Sequence, residues 1–418
     1  MLRHALTCVL AVGIALTTAP SQSDERLESG DGFMAVDEAE AQLGQLLFYD
    51  RVLSGTYRVS CATCHNHDRA SSNGFAAPLA GDDLAVGGLP VYDALKPSAK
   101  HAPTLFNLGY SEFDVLFFDG RIERMKDGTI ASPAGDDLPA GLRDPLAAQS
   151  LFPAITADEL VGSADSDIRD AAQRGHTAIW EALLARLRDL PEYEKPFRAA
   201  FPDLKSMDDV RIHHVGNAIG TFVANEWRAD QSPYDRWLTG DVDALTLSQK
   251  RGKALFDGKA QCASCHSGRF QTDHDFHNSA SPPWRFDQPL DDTDFHRDRS
   301  DVTGHAIDRH RRRTMSLRNI TATAPYGFAG SHQDLWAFIE HHIAPAEQMR
   351  EWLAERGEGN AALAIAMEIL SSHDMPAVQL TVSEIDDLLA FLESLTDERS
   401  LSGRLGKPSE VPSNLALD

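Results

Sequence analysis

The sequence predicts a mainly α-helical fold built as two copies of one unit, and three observations carry that expectation. The first is a long internal repeat centred on two C-x-x-C-H strings, CATCH at 61–65 and CASCH at 262–266. GQLLF at 44–48 precedes the first string and GKALF at 252–256 the second. Downstream, PTLFN at 103–107 leads to Tyr110 and FFDG at 117–120, and MSLRN at 315–319 leads to Tyr326 and GFAG at 327–330. The second is apolar residues at helical spacing in several segments. The third is size: 418 residues with 42 % apolar content suffice for two separate cores.

Residues 1–22 read as a secretory signal. Arg3 and His4 open it, an apolar run over 5–15 follows, and Thr17, Thr18, Ala19 and Ser21 close it. It is too short to span a bilayer, and Cys8 lies inside it and leaves with it. The first unit is placed at 37–210, the second at 211–400, and 401–418 is a tail. In the connecting stretch, Ile179, Leu183, Leu184 and Leu187 predict a helix over 176–190, and Val215, Ile219, Phe222 and Val223 predict another over 210–228. A boundary near 205–240 fits both. Towards the end, Thr381 and Glu384 make a capping-box pattern ahead of Ile385, Leu388, Leu389, Leu392 and Leu395. The Gly-, Pro- and Asp-rich segment 128–143 and the Asp-, His- and Arg-rich segment 279–313 read as irregular surface loops.

A formal charge of −24 argues against nucleic acid as a partner. It suits either a soluble exported protein kept apart by charge or an acidic face for a basic partner. No long apolar stretch follows the leader, so no membrane span is expected. Of the 5 cysteines, the four beyond Cys8 all fall in the two strings, Cys61 and Cys64, Cys262 and Cys265, which leaves none for a disulfide. In C-x-x-C-H the two thiols reach the two vinyl groups of a haem while the adjoining imidazole reaches its iron. His65 and His266 are therefore expected as proximal ligands. Two C-x-x-C pairs around one zinc is the alternative, and the His after each pair, the export signal and the repeat weigh against it.

The strings LGQLLFYDRVLSG, SCATCH, HAPTLFN, FFDGR, SPYDRWLTGD, RGKALF, CASCHSG, SLRNITATAPY and SEIDDLLAFLESL resemble the bacterial dihaem cytochrome c peroxidase family, which includes the MauG-like enzymes. The resemblance covers about 37–400. It implies two cytochrome c-like domains in tandem with a shared inter-haem interface, two covalent c-type haems, and hydrogen peroxide as substrate at the N-terminal haem. The C-terminal haem would relay oxidising equivalents. By the same resemblance the second iron takes its distal ligand from the helix after TAPY, at the position of His342, with His341 and Met349 as fallbacks. Activated peroxidases carry a distal His ahead of the segment matching HAPT. Here Tyr92 and Asp93 stand in that area, no histidine occurs between His67 and His101, and His67 is too close to His65 to reach the opposite face. The first iron is thus expected open. The family's acid/base Glu corresponds to Glu159, with Gln149 as a polar neighbour.

Three departures bear on mechanism. Phe118 stands where the family has its inter-haem Trp, which puts that electron route in doubt. His101 stands where an Asn serves an inter-haem calcium, so calcium becomes doubtful although Thr323 and Pro325 could offer carbonyls. Phe328 replaces a His. The expected partner is a small cytochrome, a copper protein, or a protein with an oxidisable Trp or Tyr, the last including the branch found with methanobactin genes. A non-enzymatic dihaem electron carrier is the rival reading and needs both irons closed. A haem sensor would need a signalling domain, which the sequence does not show.

Overall fold

The computed structural model describes residues 31–72, 74, 101–162, 165–284, 298–356 and 360–417. The expected leader with Cys8, and Tyr92 and Asp93, lie outside the described residues. The chain is mainly helical, with a few very short strands. Its first half runs α1 (Glu38–Tyr49), α2 (Cys61–Cys64), strands β1 (Val115–Leu116), β2 (Ile122–Arg124) and β3 (Ile130–Ala131), then α3 (Pro145–Gln149), α4 (Asp167–Ala172), α5 (His176–Arg188), α6 (Glu194–Ala200) and α7 (Ile212–Glu226). The second half runs α8 (Pro233–Leu238), α9 (Leu247–Asp257), β4 (Phe276–His277), α10 (Arg299–Thr303) and β5 (Arg312–Arg313). It ends with α11 (Leu335–Ile343), α12 (Pro345–Arg356), α13 (Asn360–Ser371), α14 (Val382–Glu393) and α15 (Glu398–Leu401).

The three helices expected from spacing are present as α5, α7 and α14. The capping box of α14 forms as its pattern requires: Glu384 N donates to Thr381 Oγ1 at 3.3 Å and Thr381 N to Glu384 Oε2 at 2.8 Å.

The sequence repeat becomes a repeat of packing. Helix α1 lies on α7 as α9 lies on α14. At each crossing the repeat's glycine faces a backbone carbonyl: a Cβ on Gly44 would collide with Ala218 O, and one on Gly252 with Asp387 O. Close helix approach thus explains both glycines. The two asparagines that end PTLFN and MSLRN also match. Asn107 (φ 63°) and Asn319 (φ 60°) are both left-handed, a conformation Asn tolerates better than most residues. The Asn107 amide exchanges hydrogen bonds with the backbone of Ala229, and Asn319 bonds Asp397 N and Ser400 Oγ. Each pins a loop to the chain beyond its long helix.

One core gathers α1, α5, α6 and α7; a second joins Tyr234, Phe256, Leu388, Phe391 and Leu395; a third joins Trp284, Met349, Leu353 and Ala366. The expected boundary at 210/211 is corrected here. Helix α7 follows it, yet buries Val215, Ile219, Phe222 and Val223 in the first core, because its apolar stripe is complementary to α1. The tail also returns to the first core. Val411 is buried there, Ser413 Oγ donates to the buried Asp50 carboxylate at 2.6 Å, and Gln45 Nε2 donates to Gly406 O at 2.8 Å.

The described parts of the two expected loops carry more regular structure than their composition suggests. Segment 128–143 contributes β3 to an antiparallel three-stranded sheet in the order β1-β2-β3. Segment 279–313 contributes α10, started by Asp298 accepting from Ser300 N, and β5, paired antiparallel with β4. Strands of two residues leave no alternation to read in a sequence. Among the described residues no helix is long and apolar enough to cross a membrane.

If the crossings are tight for this reason, Gly44→Ala and Gly252→Ala each cost stability by overpacking, about 1–3 kcal/mol or more. Leu247→Ala, at a side chain 76 % exposed, should stay within about 0.5 kcal/mol. Thermal unfolding of the haem-loaded protein measures all three.

Candidate functional site

Each C-x-x-C-H string is a single tight turn. Cys61–Cys64 forms the short helix α2, whose start is held by Ser60 N donating to Thr63 Oγ1 at 2.9 Å. Cys262–Ser264 forms a 3₁₀ turn. In both, the histidine backbone closes the turn: His65 N donates to Cys61 O at 3.0 Å and His266 N to Cys262 O at 2.9 Å.

The imidazoles are oriented identically. His65 Nδ1 lies 3.0 Å from Ser71 O, and His266 Nδ1 lies 3.0 Å from Gln271 O. A carbonyl only accepts, so Nδ1 carries the proton in each ring and Nε2 keeps its lone pair. Both carbonyls are turned back by residues in left-handed conformation, Ser71 at φ 59° and Gln271 at φ 50°. Burial pushes both imidazoles down to about 4, with His101 a like charge near His65 and His342 one near His266. They are therefore neutral, the form that binds a metal.

The donor set fits covalent haem: at each string two unbridged thiols stand beside one imidazole whose Nε2 is available. Beside His266 a cavity of about 250 Å³ is walled by Tyr234, Phe256, Ala263 and Phe391. The zinc alternative does not form, since the two strings pack against different cores. Among the described residues the one cluster of metal-ligand type is Cys265, Asp273 and His277, and Cys265 is itself a thiol of the second string.

The structure separates the three residues considered for the second iron. His342, in the last turn of α11, donates from Nδ1 to Phe338 O at 2.9 Å, which leaves Nε2 bare, and its charge acts on His266. His341 is fully buried and spends Nε2 on Ala280 O at 2.8 Å. Met349 is enclosed in the third core with Trp284.

Around the first string, His67 Nδ1 lies 3.7 Å from Glu226 Oε1, whose carboxylate accepts from the backbone of Arg404, Leu405 and Gly406. His101 Nε2 lies 3.3 Å from Ser72 Oγ, beside the residue that holds His65 Nδ1. His101 N donates to Phe328 O at 2.9 Å. Phe118 and Phe328, two of the departures noted above, pack together with ring centroids 4.8 Å apart. Thr323 Oγ1 donates to Ile320 O at 3.0 Å. Glu159 sits in the turn Ala157–Val161 at a break in its helical geometry, half-buried, and its carboxylate bonds to no described residue. Gln149, at the end of α3, has Oε1 enclosed without a partner. These two share no hydrogen bond.

A model of the di-haem cytochrome c peroxidases matches residues 38–243. Over those residues the chain is similar to the di-haem cytochrome c peroxidases, which include the MauG proteins. It is similar to the methylamine utilization protein MauG of Methylophilus methylotrophus, 27 % identical over 358 residues that cover 85 % of this chain and 82 % of that protein. It is also similar to the cytochrome-c peroxidase IdrP2 of Pseudomonas sp. strain SCT, 28 % identical over 399 residues, 90 % of this chain and 87 % of that one. Among solved structures it resembles a MauG-like protein associated with microbial copper homeostasis, with a TM-score of 0.62 and 26 % identity over 90 % of this chain and 93 % of that one. These similarities mark the protein as a dihaem peroxidase-type oxidoreductase with two c-type haems.

Sequence reasoning missed Ser71 and Gln271, whose role is carried by backbone carbonyls and a positive φ. It also missed Arg312 and Arg313, because a run of arginines in a polar stretch reads as solvated. Haem staining of denatured protein and intact mass should show two haems per chain, and the double change Cys61→Ser with Cys64→Ser should leave one.

Proposed function

We propose that this is a periplasmic MauG-like oxidoreductase of two cytochrome c-like units, divided near 230 rather than at 210/211. Hydrogen peroxide is taken at the haem of His65, and oxidising equivalents pass through the haem of His266 to an aromatic side chain of a partner protein. Haem bound at the two strings supplies the iron chemistry that cleaves the O–O bond and stores the two oxidising equivalents. Overall, peroxide takes two electrons and two protons to give two waters.

The observation that carries this reading is the asymmetry of the two histidine sites. Near His266 a second imidazole, His342, presents a bare Nε2. Near His65, His101 engages Ser72 Oγ through Nε2, and His67 faces Glu226. Among the described residues, a bare second imidazole at one site and an engaged one at the other supports a peroxide enzyme over a simple electron carrier. Glu159, whose carboxylate bonds to no described residue, takes a proton from peroxide and returns it to the leaving oxygen. Gln149 Oε1, buried and unpartnered, serves as a fixed polar neighbour.

A His342 ligand in place of Met favours the oxidised state of the second centre, which disfavours turnover with a high-potential carrier. An oxidisable Trp or Tyr on a partner is the reductant that fits. Similarity to a MauG-like protein associated with copper homeostasis supports the MauG-like reading.

Two measurements test the proposal. The as-isolated diferric protein should react with peroxide in stopped flow without prior reduction, and His342→Ala should convert its low-spin signal to high-spin. A reaction that appears only after one-electron reduction means that a protein ligand blocks the first site. Glu159→Gln should slow the peroxide reaction about 10²–10⁴-fold while leaving both haem spectra nearly intact. Fast steady-state turnover with reduced cytochrome c, with no oxidised Trp or Tyr in proteins encoded beside this one, would return the enzyme to carrier-dependent peroxidases.

A further inference from the structure

Two cations at the junction of the halves, Arg313 buried and Arg312 half-buried, form no ion pair among the described residues, although the charges of Asp298 and Asp119 reach Arg312. Arg313 is 4 % exposed. Its backbone N donates to Phe118 O at 2.7 Å, its Nε to Phe117 O at 3.0 Å and its Nη2 to Met315 Sδ at 3.4 Å, while Nη1 is enclosed with no partner. Arg312 stacks its guanidinium 3.9 Å above the Phe328 ring, and its Nε is likewise enclosed with no partner. Burial pushes both down to about 10.

The neighbouring acids are already committed. Asp119 is paired with Arg121 at 2.7 Å. Asp298 accepts from Ser300 N, Ser300 Oγ and His310 N. Arg299, the other cation of this region, donates to Asp119 O and Gly120 O and lies 3.5 Å from Glu123. A guanidinium withdrawn from water without an anionic partner is costly to the fold. A chain with 63 acidic residues has nonetheless left this pair for something else.

The position says what that is. Arg312 is the cross-strand partner of His277, whose charge acts on His266. The ring on which Arg312 stacks belongs to Phe328, whose carbonyl accepts from His101 N, and the charge of His101 acts on His65. The pair therefore lies between the surroundings of the two haem-binding histidines. Each haem carries two propionate carboxylates, and planar guanidinium forks are matched to carboxylates.

We propose that Arg312 and Arg313 form the carboxylate-binding pair of the domain junction, holding haem propionates and keeping the reduction potential of the bound haem high by their fixed positive charge. The proposal rests on the assignment of haem to both strings. A cation beside a redox centre favours the state that has gained an electron, so loss of that charge lowers the potential.

The test is spectroelectrochemical titration of the purified dihaem protein and of Arg313→Gln, Arg313→Lys and Arg312→Gln, with haem content measured on each. In Arg313→Gln the ratio of reduced to oxidised haem at a fixed potential should fall roughly tenfold at one centre or both, the order for one unit charge acting through a protein interior. Arg313→Lys, which keeps the charge, should recover most of it. Arg312→Gln, at a half-buried site more tolerant of change, should shift in the same direction. Native potentials in both Gln variants, at full haem content, overturn the proposal. So does a Lys variant shifted as far as the Gln variant, which would mark a packing role alone. A native protein without two haems would instead overturn the haem assignment.

Discussion

Each half of the molecule is organised around one hydrogen bond, from an imidazole Nδ1 to a backbone carbonyl a few residues further on. That bond decides the tautomer, and the tautomer decides which nitrogen can reach a metal. It demands a chain reversal immediately after each string, met by Ser71 and Gln271 at positive φ. Neither residue is glycine, so each holds a costly conformation that the surrounding contacts must over-determine. Ser71 is fully buried, with Oγ accepting from Leu105 N at 2.9 Å, and Gln271 Nε2 donates to Gly268 O and Arg269 O. Side-chain bonds at the reversal thus stabilise the backbone that aims the histidine.

The same economy of position applies on α11. Adjacent helical residues point about 100° apart, because an α-helix turns once in about 3.6 residues. His341 and His342 therefore cannot face the same target. Ala280 O captures His341 in the interior, with Nδ1 left unpartnered, and this pins the helix in the rotation that carries His342 towards His266. A buried histidine held by a backbone carbonyl thus sets the register of its neighbour.

Much of this was legible in the sequence, for reasons that differ by residue. Gly44 and Gly252, Asn107 and Asn319, and the two strings recur because each solves the same local problem twice, and repetition shows without an alignment. Helices α5, α7 and α14 were legible because long amphipathic spacing or a capping box marks them. The boundary at 210/211 was misplaced because α7 has an apolar stripe but nothing in its own residues says which core receives it. Strands β3, β4 and β5 escaped because two residues carry no period. Arg312 and Arg313 escaped because charge in a sequence implies solvent, and only packing shows that solvent is absent.

That last point separates the electrostatics of the interior from those of the surface. The formal charge of −24 belongs to the chain as a whole and governs solubility and the encounter with partners. Near the strings the balance is reversed. His65, His266, His341 and His342 are all shifted towards neutrality by burial, so they offer lone pairs and little charge. Arg312 and Arg313 keep theirs, since a guanidinium lowered to about 10 is still protonated at neutral pH. The two guanidiniums therefore set up a local positive field, opposed in part by Asp119 and Asp298, inside an acidic protein. Such a field is costly to maintain and has no use in a helical scaffold that only needs to fold. It has a use where carboxylates arrive with a cofactor, and the junction where the two halves meet is where the cofactors of both would deliver them.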